Sequence, residues 1–262
     1  MQIKQPRGFP IGYTPITASG GPHADMLLDF GILRLAGGGR YTSEAALERA
    51  YLFMDGEVRL EWEGGSRLIR RRSLFDESPW CLHLAAGAPV TITAGAEGAE
   101  LACQATANPA RFPARLFSPE ECASEERGKG TLRETSTRIV RTIFDDRNAP
   151  FSNLVLGEAI TFPGKWSSYP PHHHPQPEIY HYRFLPAGGF ALTAIGERAY
   201  VLAEGDTILI REGEVHPQSA APGYAMYYLW VIRHLPGRRY VTPSFVPEHA
   251  WTMKPEAKIW QP

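Results

Sequence analysis

The sequence predicts an all-β protein built from two stacked β-barrels, and two features carry that prediction. The 262 residues include 25 Gly and 23 Pro, which favours many turns between short strands. Strand-like apolar segments recur between those turns without helical patterns among them, which is typical of a sandwich or barrel. We therefore expect helix in less than about a fifth of the residues, against about a third in average globular proteins.

The first half of the chain alternates apolar segments with turn signals. The pair Asp55-Gly56 stands between two such segments, and Asp-Gly in that position predicts a hairpin turn. The segment Thr42–Arg49 is compatible with a short helix, although so few residues do not decide it. The predicted strands are Leu27–Leu35, Ala50–Met54, Glu57–Trp62, Trp80–Leu84, Val90–Ile92 and Leu101–Gln104.

A polar, Pro-bearing stretch at residues 105–137 separates the two halves, and we interpret it as a linker and crossing segment. The predicted organisation is an N-terminal barrel over residues 1–110, a linker over 111–137 and a C-terminal barrel over 138–262. The second half repeats the alternation of strands and turns seen in the first half, without an obvious repeat of its residues. Its predicted strands are Leu154–Thr161, Glu178–Phe184, Phe190–Ile195, Arg198–Leu202, Thr207–Ile210 and Tyr227–Ile232.

Charge and composition exclude several classes of partner. The net charge is −1, so nothing favours nucleic acid or an anionic membrane surface. No apolar run approaches the roughly 20 residues that cross a bilayer, and the first residues do not resemble a signal peptide, which predicts a cytoplasmic protein. Cys81, Cys103 and Cys122 are scattered, which favours buried free thiols over a disulfide framework.

The strongest chemical signal is a run of histidines followed by a glutamate. Because side chains two residues apart share a face of an extended chain, we expect His172 and His174 to point together while His173 points to solvent. Glu178 opens the next strand, and prolines at 175 and 177 interrupt regular pairing, so its carboxylate could turn onto the same face. Imidazoles with one carboxylate suit one divalent ion per chain, such as zinc, manganese, iron or nickel.

A fourth ligand, His216, comes from a second group of residues downstream. Taken alone, this histidine would be a surface or satisfied residue, but its spacing from the preceding glycines changes that interpretation. Together the two groups resemble the two cupin motifs, with Arg211 where proline is usual. The matching residues are Gly164, His172, His174, Glu178 and Gly188 for the first motif, and Gly205, Arg211, Gly213 and His216 for the second.

Stretches around both motifs extend the match to one family. The matching stretches are 166–172 (WSSYPPH), 178–183 (EIYHYR), 221–224 (APGY), 227–231 (YYLWV) and 127–131 (RGKGT), with Arg138, Val140 and Ile143. Through them the chain resembles the 5-deoxy-glucuronate isomerase family of myo-inositol catabolism, densely over residues 127–232 and thinly before. The resemblance implies a bicupin fold of two cupin (jelly-roll) barrels, a divalent metal, and conversion of 5-deoxy-glucuronate to 2-deoxy-5-keto-gluconate.

The chain departs from that family at the rim of the predicted pocket. Pro175-Gln176-Pro177 replaces an aspartate and a longer acidic insert between the second histidine and the glutamate. The segment Arg211–His216 lacks the tyrosine that usually stands beside the last ligand. Both changes keep the ligands, so we expect them to affect the choice of uronate more than the chemistry.

Aldose–ketose isomerisation needs a group that moves a proton and, for a sugar acid, a cation. On a regular strand Tyr182 shares the inward face with Glu178, whereas His181 points outward, so Tyr182 is the favoured catalytic residue. His181 is the other candidate, although a histidine in this position is more commonly a strand-surface residue. The candidate cations for the carboxylate are Arg183, Lys165 and Arg141. Tyr228 is a candidate substrate contact, although Tyr227, Tyr228 and Trp230 are more commonly packed core.

Other functions stay open on the sequence alone. A related hexuronate ketol-isomerase would use the same site, a dioxygenase would use the same ligands on iron, and a sugar-binding cupin would bind without turnover. No nucleotide cofactor is expected, because Gly37-Gly38-Gly39 lacks the further glycine and helix of a dinucleotide loop. A small sugar acid is therefore the expected partner.

The N-terminal half carries little chemistry. It has no His-x-His, so we expect no metal there and assign it to packing or subunit contact, which leaves room for a homo-oligomer. The run Arg70-Arg71-Arg72 is interpreted as a short solvated cluster. The remaining histidines, expected to be structural, are His23, His83, His234 and His249.

Overall fold

The computed structural model describes residues 1–254 and 256–260 and is mostly β-structure. Strands take up 49% of the chain and helix 5%, which confirms the all-β prediction and its low helix content. Among these residues no helix is long and apolar enough to span a membrane.

The helices are the 3₁₀ turns Ala24–Met26, Leu132–Glu134 and Pro247–Met253. The strands are β1 (Gln2–Ile3), β2 (Gly12–Thr17), β3 (Asp29–Leu35), β4 (Arg40–Ser43), β5 (Glu48–Trp62), β6 (Gly65–Arg71), β7 (Cys81–Leu84), β8 (Val90–Thr106), β9 (Arg115–Phe117), β10 (Ala123–Arg127), β11 (Arg138–Phe144), β12 (Leu154–Thr161), β13 (Trp166–Ser167), β14 (His172–His173), β15 (Glu178–Leu185), β16 (Ala191–Ile195), β17 (Arg198–Leu202), β18 (Thr207–Ile210), β19 (Gln218–Ala220), β20 (Ala225–Arg233) and β21 (Ser244–Phe245).

The chain divides into two compact units that interleave along the sequence. Unit 1 comprises Met1–Pro6, Ser124–Arg141 and the chain from Gly157 onward, and unit 2 comprises Arg7–Ala123 and Thr142–Leu156. The sequence predicted consecutive ranges, whereas β1 joins unit 1 from the start of the chain. It does so by antiparallel pairing with β18, which gives its backbone groups partners about two hundred residues away.

Unit 1 carries the residues of both histidine motifs. Its larger sheet has the strand order β1-β18-β15-β20-β12-β11-β10, its smaller sheet has the order β13-β19-β16-β17, and β14 pairs with β21. Side chains from both sheets form one buried cluster, so the core of the unit lies between them. Members of this cluster include Val140, Tyr180, Tyr182, Ile195, Leu202, Ile208 and Met226.

Unit 2 is built on an eight-stranded sheet in which β5 and β8 are long continuous strands. The predicted hairpin at Asp55-Gly56 is wrong, because β5 runs from Glu48 to Trp62 without a turn. Register shifts on both sides of the pair form a bulge, and Gly56 has φ +94° there. A Cβ on Gly56 would lie 2.4 Å from the Gly98 carbonyl oxygen, so glycine is required for close approach of the strands.

Three further sequence interpretations can be compared directly with unit 2. The short helix considered for Thr42–Arg49 is absent, since the segment contributes to β4 and β5. The solvated Arg70-Arg71-Arg72 cluster is wrong at Arg71, which is fully buried and donates to the carbonyl oxygens of Phe53 (3.0 Å) and Glu77 (2.8 Å). The acceptors are carbonyl oxygens that the fold brings next to the guanidinium, and the run of arginines in the sequence does not reveal them. All three cysteines are free and buried, as predicted.

A buried carboxylate organises the interior of unit 2. Glu48 accepts hydrogen bonds from His83 (2.7 Å), the Asn108 amide (2.7 Å), the Asn153 backbone N–H (2.9 Å) and the Ser152 hydroxyl. Burial alone would raise the pKa of Glu48, but these hydrogen bonds and the nearby imidazole hold it below its ordinary value. The structure thus gives His83 the structural role expected of it.

We predict that Glu48→Gln destabilises the protein by about 3 kcal/mol at pH 7, because an amide cannot accept all of these hydrogen bonds. A carboxyl group whose pKa is lower in the folded than in the unfolded protein stabilises the fold at pH values above its unfolded pKa. This contribution is lost as the pH falls through the folded pKa. The gap between wild type and variant in urea unfolding should therefore shrink below about pH 4. The exposed Glu61→Gln on the same strand is the control, and equal unfolding of both variants at pH 7 would refute the prediction.

Candidate metal centre

The two histidine motifs meet because their strands are neighbours in the larger sheet of unit 1. Glu178 opens β15 and pairs with Ile210, the last residue of β18, so the loop that leads to His216 starts beside it. The Gly213 N–H donates to the His174 carbonyl oxygen at 3.0 Å and ties the two motifs together. Gly213 has φ +75°, a conformation that favours glycine.

Three buried side chains bring their ligand atoms into one group. Oε2 of Glu178 lies 3.0 Å from Nε2 of His174 and 3.4 Å from Nε2 of His216, and the three ligand atoms all lie within 4.8 Å of one another. Two atoms that each bind one ion at about 2.1 Å lie about 3.0–3.4 Å apart at octahedral or tetrahedral angles. The two spacings from Oε2 of Glu178 fit a single ion.

The imidazoles of the site are oriented by backbone carbonyls. A carbonyl oxygen only accepts hydrogen bonds, so each Nδ1 bound to one carries the hydrogen, and in the neutral ring Nε2 keeps its lone pair. This arrangement is typical of histidines that ligate a metal through Nε2. The Nδ1 to oxygen pairs are His172 to Pro170 (3.0 Å), His174 to Gln176 (2.9 Å) and His216 to Glu214 (2.8 Å).

The electrostatics of the site also fit a cation. Burial lowers the pKa of His216 well below its ordinary value and that of His172 to about 4, so both rings are neutral at pH 7. Nε2 of His216 is buried without a hydrogen-bond partner among the described residues. Burial raises the pKa of Glu178, whose Oε2 lies against Nε2 of His174. A divalent ion among these atoms would satisfy all of them.

The fourth predicted ligand lies beside this group. The ring of His172 is half-buried, and its centroid is 4.7 Å from that of His216 at an interplanar angle of 83°. The described part of the chain gives a three-residue ligand group that does not include His172. His173, predicted to face away, is half-buried and pairs with Ser244 of β21.

Three tyrosines with bound hydroxyls line the interior next to the histidines. The ring of Tyr180 lies 5.7 Å from that of His216 and 4.7 Å from that of Tyr228. The ring of Tyr182 lies 6.3 Å from that of Tyr180, and its hydroxyl donates to Oε1 of Gln218 at 2.8 Å. The other hydroxyl contacts are Tyr180 with Ser168 (3.0 Å) and Tyr228 with Ser167 (2.6 Å). Burial raises the pKa of Tyr180 and Tyr182 well above the ordinary value, so both keep their hydrogen at neutral pH.

The alternative catalytic candidate, His181, lies on the other face of β15 from Tyr180 and Tyr182. Its interpretation as a strand-surface residue is wrong, because its side chain is fully buried. Nδ1 lies 2.9 Å from the Thr207 hydroxyl and Nε2 lies 2.6 Å from Nη1 of Arg183. Strands β18 and β20 flank β15, which is therefore a central strand of the sheet.

The three predicted cations have different surroundings. Arg141 is buried and bonds Glu158 at 2.8 Å, and Arg183 bonds Glu204 at 3.2 Å. Lys165 is half-buried, with its ammonium 5.5 Å from the centroid of the Phe162 ring. The two arginines thus already have carboxylate partners.

Sequence reasoning missed two aromatic residues that reach the histidines from beyond β20. The ring of Tyr240 lies 5.1 Å from that of His174, and the ring of Phe245 lies 5.9 Å from that of His172. No spacing rule links them to the motifs, because the intervening chain is irregular apart from an isolated bridge between Leu235 and Arg238. A long aromatic-bearing tail after the last barrel strand is the one signal that could have suggested them.

Comparison with known proteins places the chain in a family. Residues 5–252 match the family model described as KduI/IolB family. A 5-deoxy-glucuronate isomerase from Geobacillus kaustophilus is 34% identical over 158 residues, which cover 55% of this chain and 54% of that protein. The chain thus matches about half the length of this relative.

Solved structures agree with the fold. The crystal structure of an IolB-like protein from Salmonella typhimurium has a TM-score of 0.84 and 25% identity, and the match covers 94% of this chain and 97% of that one. Lactobacillus farciminis oxalate decarboxylase, a cupin-fold protein, has a TM-score of 0.66 at 12% identity over 92% of this chain and 86% of its own. The cupin prediction is therefore confirmed, and the chain belongs to the KduI/IolB family.

Proposed function

We propose that the protein is a metal-dependent aldose–ketose isomerase that converts 5-deoxy-glucuronate to 2-deoxy-5-keto-gluconate. The observation that carries this proposal is the buried group of ligand atoms on His174, Glu178 and His216, with each imidazole oriented through Nδ1. The name of the Geobacillus relative supports the choice of substrate.

The proposed ligands of the ion are His172, His174, Glu178 and His216. Their Nε2 atoms and one carboxylate oxygen form a donor set that suits zinc, manganese, iron or nickel. When bound, such an ion supplies Lewis-acid stabilisation of negative charge on substrate oxygens. The carbonyl oxygens of Pro170, Gln176 and Glu214 orient the three rings.

Isomerisation also moves protons between adjacent carbons and oxygens of the sugar. Tyr180 is suited to donate to a substrate oxygen, because its ring lies against His216 and its hydroxyl stays protonated at neutral pH. Ser168 holds that hydroxyl in position. Tyr182, the residue favoured by strand alternation, shares the same face of β15 and stays a candidate. The catalytic contributions of the two tyrosines can therefore be compared by substitutions on the same strand.

The proposal is tested with a panel of sugar acids and controlled metal content. We expect turnover of 5-deoxy-glucuronate without nucleotide, loss of turnover on chelation, and recovery on return of one divalent ion per chain. Turnover of another uronate instead would keep the isomerase and reject this substrate. A fully loaded protein that isomerises no uronate would refute the enzyme assignment.

A further inference from the structure

Arg138 is a buried cation of unit 1 with no carboxylate partner in the part of the chain that the structure describes. Its exposed fraction is 9%. Its guanidinium donates from Nη1 to the Ser136 carbonyl oxygen (2.7 Å) and from Nη2 to the Tyr169 carbonyl oxygen (3.1 Å). Both acceptors are neutral, and a guanidinium has five N–H donors. A buried charge without a counter-charge is strongly disfavoured, so an anion at this guanidinium would stabilise it.

The position of Arg138 connects this charge to the candidate metal centre. The Tyr169 carbonyl that it binds is followed directly by Pro170, whose own carbonyl accepts from Nδ1 of His172. Burial lowers the pKa of Arg138, nearby Tyr228 and Tyr180 act in the opposite direction, and Arg127 acts in the same direction as burial. The guanidinium therefore lies within electrostatic reach of the tyrosines that line the site.

The other candidate cations are less available for a substrate. Arg141 and Arg183 each hold a carboxylate of the protein already, Glu158 and Glu204 respectively. A carboxylate ligand would have to displace that partner from either arginine. Arg138 would instead gain its first anionic partner, and guanidinium binds carboxylate in a fork that fixes orientation.

We propose that Arg138 is the residue that binds the carboxylate of the sugar acid. This inference rests on the proposed function for the identity of the ligand, and it adds a specificity-determining residue that was not among the sequence candidates. Arg138 holds the acid end of the substrate, which leaves the aldehyde end for the histidine cluster. A bound carboxylate also explains why a charged residue occupies this buried position.

The test compares two ligands that differ only in charge. Calorimetric titration of the metal-loaded protein with D-glucuronate and D-glucuronamide should show about a ten- to hundredfold preference for the acid. Arg138→Gln should abolish the preference and leave amide binding unchanged. The control is Arg198→Gln, an exposed arginine at the start of β17 in the same unit, and it should keep the preference. For 5-deoxy-glucuronate, Arg138→Gln should raise KM more than it lowers kcat.

Each outcome decides the inference. A preference that survives Arg138→Gln, or a wild type without one, overturns it. If Arg138→Gln does not fold, Arg138→Lys should bind the acid less tightly while it binds the amide as wild type does; equal weakening of both would show a purely structural role. Because binding is measured without turnover, an Arg138-dependent preference in a protein that isomerises nothing would refute the proposed function and keep the anion site.

Discussion

Replacing His174 with alanine is expected to remove the bound metal and lower kcat/KM for 5-deoxy-glucuronate by at least about a thousandfold. The ring supplies one of three ligand atoms that lie within 4.8 Å of one another, and alanine offers no donor in its place. Lewis-acid stabilisation is worth several kcal/mol, and each 1.4 kcal/mol corresponds to a factor of ten in rate. Elemental analysis after dialysis and steady-state kinetics measure the two effects.

The matched control is the neighbouring residue. His173→Ala changes the same residue type one position away, in a side chain that strand alternation directs away from the ligands. It should keep one ion per chain and near-normal turnover. A protein that loses its metal through His173→Ala and keeps it through His174→Ala would reverse the ligand assignment.

Replacing Tyr180 with phenylalanine is the second large effect that we expect, a fall in kcat of about 10²- to 10⁴-fold with little change in KM. The ring that contacts His216 stays, and only the hydroxyl held by Ser168 is lost. Metal content should be unchanged, because Tyr180 is not a ligand. Rapid-quench kinetics on the metal-loaded variant measure the loss.

Tyr182→Phe is the comparison on the same strand face. Its hydroxyl already donates to Gln218 at 2.8 Å, so its removal should lower thermal stability and change kcat less than Tyr180→Phe does. The reverse order of the two kcat values would favour Tyr182 as the proton-moving residue, as strand alternation suggested. Equal, near-normal kcat values would remove both tyrosines from the chemistry.

The strand pattern of the sequence predicted the all-β fold, and the resemblance to the two cupin motifs predicted the grouping of His174, Glu178 and His216. The remaining features depend on contacts between distant segments. The bulge at Gly56 requires knowledge of Gly98 on the paired strand, and the same dipeptide at a chain reversal would have formed a hairpin. The contact between Tyr240 and His174 likewise spans an irregular segment that no periodicity describes.

The short connection before Glu178 has a structural role. Gln176, which lies between His174 and Glu178, accepts from Nδ1 of His174 through its carbonyl oxygen. Its side-chain amide donates to the Arg238 carbonyl oxygen at 2.6 Å and links the connection to the chain beyond β20. The short segment therefore still orients a ligand. Its effect on the choice of uronate stays a prediction.

The proposed isomerase activity is tested most directly by the fate of the aldehyde carbon of 5-deoxy-glucuronate. The sugar is labelled with carbon-13 at that position and incubated with protein that carries one divalent ion per chain, and its spectrum is followed by nuclear magnetic resonance. We predict that the aldehyde signal and its hydrate decay while a hydroxymethyl signal beside a new ketone appears, and that a chelator stops this change. An unchanged aldehyde signal with fully loaded protein, or equal conversion after complete removal of the metal, would contradict the proposed metal-dependent isomerase.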